Sequence, residues 1–156
     1  MTLRLFALGA LALATFPAMS ADPVKPALKV TTVTGKTFDL AAQRGHWVIV
    51  NYWATWCVPC IAEMPDISAF VASHPNVKAI GLAFEDTEKK DVLAFLDKHK
   101  VVYPIAQIDP TEPPKDFGMP RGLPTTYLIA PDGHIAEHFV GPVTEKKLGD
   151  AIARGQ

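Results

Sequence analysis

Cysteine is scarce in this chain. It occurs twice in 156 residues, at positions 57 and 60. A disulfide closing so small a loop removes little entropy from the unfolded chain, so it cannot staple a fold and its purpose lies in chemistry. Charge of one sign is also lacking: Lys plus Arg total 15 against 16 Asp plus Glu, a net charge of −1. Without the basic excess that neutralises phosphates, nucleic acid is excluded as a partner. Beyond the first 21 residues no apolar run approaches the roughly 20 residues that span a bilayer. The length fits one domain.

The first 21 residues contain no Asp or Glu and are dominated by Ala and Leu. Arg4 supplies a positive start, Leu5 to Phe16 an apolar stretch, and Ala18-Met19-Ser20-Ala21 small residues for cleavage, which together read as an export signal. The alternative is an uncleaved membrane anchor. Cleavage leaves a periplasmic, water-soluble protein in an oxidising compartment. Residues 22–27, with Pro23 and Pro26, read as a linker, and 28–156 as the folded domain.

Within that domain, alternating Leu28, Val30 and Thr32, a Gly35-Lys36 turn, then Phe38 and Leu40 predict a β-hairpin. Trp47 to Trp53 is a β-branched and aromatic run without alternation, as expected of a central strand buried on both faces. Ile61, Met64, Ile67, Phe70 and Val71 then recur at helical spacing up to His74-Pro75, in a helix that Pro65 interrupts and should kink. A second buried strand is expected over Val77 to Phe84, a helix over Glu88 to Lys98 and a short strand within Tyr103 to Ile108. Residues 109–122 form a proline-rich connection or short helix. Thr125 to Ala130 and His134 to Val140 flank a Pro131-Asp132-Gly133 turn, and Thr144 caps a last helix. The order implies an α/β sandwich with a central mixed sheet flanked by helices, plus the N-terminal hairpin.

Cys57-Val58-Pro59-Cys60 falls where the buried strand ends and a helix begins. A helix N-terminus offers unpaired N–H groups and partial positive charge, which favour a thiolate. Cys57, at the helix start, is expected to attack, and Cys60, one turn inside, to resolve the mixed disulfide. Zinc would need two further ligands, and none of the five histidines forms a suitable pair. No metal or cofactor is expected. Copper(I) held by the two thiolates and delivered to a partner is the main alternative, weakened because no Met or His stands beside the pair. Peroxidase chemistry would require Thr-x-x-Cys, whereas Thr55 lies two positions before Cys57.

Asn51-Tyr52-Trp53-Ala54-Thr55-Trp56-Cys57-Val58-Pro59-Cys60, Glu63-Met64-Pro65 and Gly122-Leu123-Pro124-Thr125-Thr126-Tyr127 resemble the thioredoxin superfamily, specifically the exported TlpA/ResA-type thiol-disulfide oxidoreductases. The resemblance covers about residues 28–154. It implies a thioredoxin-like fold and a disulfide reductase acting on protein cysteine pairs, with cytochrome c or copper-site maturation as its setting. A membrane thiol-electron transporter would be the donor, and the protein would act as a monomer. By itself Pro124 reads as a proline opening a strand; the resemblance implies a cis-proline loop, with Trp56, Leu123, Pro124 and Thr125 contacting substrate.

Thioredoxins proper carry an Asp at the position of Asn51, which assists proton removal from the resolving thiol. Asn51 cannot take that proton. ResA-type proteins are similar to this chain in placing an acidic residue just after the second core strand, so Glu85 or Asp86 is expected to act as proton acceptor for Cys60. The plainer alternative has Asp86 capping the next helix and Glu85 solvated. Glu63 is expected to complement the helix dipole.

Overall fold

Residues 25–155 are described by the structure, a computed structural model. The expected export signal and the first half of the linker, residues 22–24, lie outside these residues. Among them, no helix is long and apolar enough to cross a membrane.

The chain opens with a hairpin, β1 (Lys29–Thr31) and β2 (Thr37–Asp39), paired antiparallel. Its turn uses Gly35 at φ +83°, a backbone conformation that glycine adopts without steric cost. A single 3-10 turn (Ala41–Gln43) leads into β3 (Trp47–Trp53), in which every residue is buried. Then follow α1 (Val58–Ser73), β4 (Val77–Phe84), α2 (Lys89–Lys98), β5 (Ile105–Ile108), β6 (Thr125–Ile129), β7 (Ile135–Val140) and α3 (Glu145–Arg154). Residues 109–124 form an irregular connection with no helix.

The five-stranded sheet has the order β5-β4-β3-β6-β7. β3, β4 and β5 run parallel, whereas β6 and β7 run antiparallel to their neighbours. Both parallel crossovers step in the same direction along the sheet, so their right-handedness places α1 and α2 on one face. Ile49, Trp53 and Leu128 on that face pack with Met64 and Ile67 of α1, Val92 of α2 and Leu148 of α3. The alternate residues Val50, Tyr52 and Leu82 pack beneath Phe38 and Leu40 of the hairpin region and Phe117 of the connection. The hairpin also shields β5: the Val33 N–H donates to the Ile105 carbonyl at 2.8 Å, covering an edge that would otherwise invite strand pairing.

α1 continues through Pro65. Its ring removes the N–H that would pair with the Ile61 carbonyl, yet Cys60, Glu63, Met64, Ile67 and Phe70 still form one buried face. α3 begins as expected, with the Thr144 hydroxyl oxygen accepting from the Lys147 N–H at 3.2 Å.

Candidate active site

β3 carries the chain to Trp53 at the centre of the sheet, and a short turn redirects it into α1. The turn is closed by the Cys57 N–H donating to the Ala54 carbonyl at 3.1 Å. Cys57 is the N-cap of α1, and its Sγ accepts the Cys60 N–H at 3.3 Å. Pro59 occupies the first helical turn, where its missing N–H leaves no intrahelical bond unmade. Cys57 and Cys60 are joined as a disulfide. Cys57 is 4% exposed and Cys60 fully buried, so an incoming thiolate meets Cys57 first.

Pro124 precedes β6. Since Thr125 pairs with Tyr52, Leu123 and Pro124 lie just past the end of β3 from which the cysteine turn emerges. The Leu123–Pro124 bond is cis. The Pro124 carbonyl accepts from the Gly141 N–H at 2.9 Å, and the Thr125 hydroxyl donates to the Gly122 carbonyl at 2.6 Å. Gly122 and Leu123 share a cleft of about 630 Å³ with Thr55, Trp56, Phe84, Glu85 and Asp86. Trp56 is 67% exposed. The structure thus brings Trp56, Leu123, Glu85 and Asp86 to one cleft.

The two acidic candidates differ. Asp86 is exposed on the cleft wall and does not cap α2, whose N-cap is Glu88. Glu85 is buried, and both its oxygens are taken: Oε1 accepts the Thr55 backbone N–H and Oε2 the Thr55 hydroxyl, each at 2.8 Å.

A third carboxyl, expected chiefly to complement the helix dipole, lies deeper. Glu63 is 2% exposed. It stands three residues after Cys60 on the buried face of α1, the spacing that makes helical neighbours. Its Oε1 accepts from Asn51 Nδ2 at 2.7 Å and its Oε2 from the Val143 backbone N–H at 2.8 Å. The Asn51 amide also reaches Thr126 Oγ1 at 3.0 Å. Burial pushes the Glu63 carboxyl up to about 7, against the downward pull of the Val143 and Asn51 hydrogen bonds and of Lys147. Asn51, unable to take a proton, thus holds a carboxyl that can. The available sequence signal was the spacing from Cys60 to Glu63; the missing information was Val143, 80 positions away.

A model of the AhpC/TSA family matches residues 22–138. The chain is 31% identical to the thioredoxin-like protein YneN of Bacillus subtilis over 126 residues, 79% of this chain and 73% of the relative. It is 34% identical over 118 residues to the thiol-disulfide oxidoreductase ResA of Oceanobacillus iheyensis, 74% of this chain and 60% of the relative. Among solved structures, a thiol:disulfide interchange protein of the thioredoxin family from Chlorobium tepidum superposes with a TM-score of 0.75 at 26% identity, covering 86% of this chain and 97% of that one. StoA of Bacillus subtilis gives 0.69 at 25% identity, covering 83% and 98%. With the cysteine pair at the N-terminus of α1 beside a cis-proline loop, these similarities show that the chain belongs to the AhpC/TSA family, as a thioredoxin-like thiol-disulfide oxidoreductase.

Proposed function

We propose that this protein is a reductase of protein disulfides outside the cytoplasm, working through Cys57 and Cys60. The observation that carries the reading is the Cys57 sulfur seated as the N-cap of α1 and accepting a helix N–H, an environment that favours the thiolate. In the dithiol form, the Cys57 thiolate attacks one sulfur of a partner disulfide. A mixed disulfide forms and the other partner sulfur leaves as a thiolate. Cys60 then attacks the Cys57 sulfur, closing the Cys57–Cys60 disulfide and releasing the second partner thiolate. Two electrons pass from the dithiol to the partner. The Cys60 proton goes to Glu63, whose carboxyl at about 7 is poised to accept it near neutral pH.

Exposed Trp56 and half-buried Leu123 form the partner-facing side of the site, while Pro124 and Thr125, also expected to touch substrate, are buried behind them and shape the loop from within. Restoring the dithiol requires an external donor, for which a membrane thiol-electron transporter is the fitting class, and cytochrome c or copper-site maturation is a fitting setting. The reading is tested by expressing Cys60→Ala and Cys57→Ala variants in the native compartment. Cys60→Ala is expected to accumulate covalent partner adducts and Cys57→Ala none; equal trapping by both overturns the assignment of roles. Copper delivery through the same two thiolates is favoured by no specific observation.

A further inference from the structure

Glu85 invites a role other than proton transfer. β3 and β4 are parallel neighbours whose last paired residues are Trp53 and Ala83. Two residues further along each strand direction stand Thr55 and Glu85, so register alone brings them level. Thr55 then offers two donors from one residue, its backbone N–H and its hydroxyl, and the two Glu85 oxygens receive one each at 2.8 Å. Hydrogen bonds to a carboxylate are stronger than neutral ones and a two-point contact fixes orientation as well as distance. The next residue is Trp56, an indole 67% exposed at the cleft shared with Phe84, Leu123, Pro110 and Pro120. An exposed indole on a free turn would lose conformational entropy each time it docked; on a pinned turn that cost is already met by folding.

We propose that Glu85 is a positioning residue: through Thr55 it fixes the turn that presents Trp56, so that the cleft receives an extended partner segment carrying a bulky apolar side chain beside its cysteine pair. This rests on the oxidoreductase reading and specifies how its substrate is held. Glu85 acts through Thr55 and Trp56, with its oxygens committed to Thr55, while the proton leaves Cys60 through Glu63.

The test compares Glu85→Gln, Thr55→Val, Thr55→Ser and the Glu85→Gln/Thr55→Val pair. The probe is a synthetic peptide with an intramolecular Cys-x-x-Cys disulfide flanked by leucine. Glu85→Gln and Thr55→Val should each raise KM about tenfold with little change in kcat, the scale of one hydrogen bond to a charged group. The double variant should be no worse than either single, and Thr55→Ser, which keeps both donors, should restore the parent KM. The midpoint of kcat against pH should not move in Glu85→Gln. Additive losses, a loss falling on kcat or a shifted midpoint overturns the proposal. Hydrogen exchange at the Thr55 amide supplies a readout independent of turnover: protection should fall at least about tenfold in Glu85→Gln, and unchanged protection overturns the proposal whatever the kinetics. If Glu85→Gln does not fold, the contrast between Thr55→Val and Thr55→Ser decides on the same KM criterion. Failure of the oxidoreductase reading would look different, with the parent chain inert toward the peptide and Thr55 still protected.

Discussion

Glu63 and Glu85 are both buried carboxyls that accept two hydrogen bonds, and both lie near the cysteine turn, yet their surroundings differ. Glu85 closes one wall of an open cleft, and its two partners belong to a single residue two positions before Cys57. Glu63 lies beneath α1, bridged to β3 through Asn51 and to the segment before α3 through Val143. There, loss of water outweighs both hydrogen bonds and the carboxyl rises to about 7. Burial fraction alone would have ranked the two alike. What separates them is how the burial is compensated and which neighbour stands within reach: a turn backbone for Glu85, the buried face shared with Cys60 for Glu63.

The largest expected effect comes from removing the titrating group. Glu63→Gln should slow resolution of the mixed disulfide at least about a hundredfold at pH 7, the usual scale for a positioned general base. Stopped-flow measurement of resolution from pH 5 to 9 checks this; the parent should show a midpoint near 7, and the variant none. Survival of that midpoint in Glu63→Gln would collapse the distinction between the two carboxyls.

Stability gives a second handle on the same group. Because the folded-state value is raised from 4.5 to about 7, the folded protein binds the proton more tightly than the unfolded chain between those values. The contribution is fully present below pH 4.5 and is lost as pH rises through about 7. The difference is at most about 3 kcal/mol, measurable by urea unfolding at pH 4.5 and 8. Glu63→Gln should flatten this dependence.

The row that seats Asn51 can be perturbed directly. Asn51 pairs with Gly81 across the sheet. A Cβ on Gly81 would lie 2.5 Å from Ile105 Cδ1 and 3.0 Å from Trp53 Nε1. Gly81→Ala should therefore cost about 1–3 kcal/mol by overpacking, read as a lower urea midpoint. It should disturb the Glu63 titration more than the Glu85 clamp, which lies beyond the last paired residues. The smallest effect is expected at the surface: Trp56→Ala should change stability by no more than about 0.5 kcal/mol while weakening peptide binding. Thermal unfolding and peptide kinetics together check that separation.

Much of this arrangement could be read along the chain. Trp47–Trp53 and Val77–Phe84 have the bounds expected of them, because a strand buried on both faces, wholly in β3 and over most of β4, carries apolar residues without alternation. The junction of strand and helix at Cys57 was equally legible, since the change of hydrophobic period marks it locally. Pro65, expected to kink α1, lies inside a helix that continues to Ser73; packing of the Cys60-to-Phe70 face outweighs one missing hydrogen bond. Within Tyr103 to Ile108 the strand occupies only Ile105–Ile108, and the proline-rich stretch before β6 is a connection and not a short helix, held by contacts from another element such as Tyr127 Oη donating to the Phe117 carbonyl at 3.0 Å.

Amino-acid order alone pointed to chemistry, rather than scaffolding, for the two cysteines, and the expectation that Cys57 leads rests on helix polarity, a property of chain direction. It also marked three acidic residues near the pair. The roles proposed for two of them, proton acceptor for Glu63 and turn clamp for Glu85, rest on tertiary structure alone. A carboxyl's proton affinity depends on the water it loses and the donors it meets, and here those donors arrive from Asn51, Val143 and Thr55 on separate segments that only the folded sheet brings together.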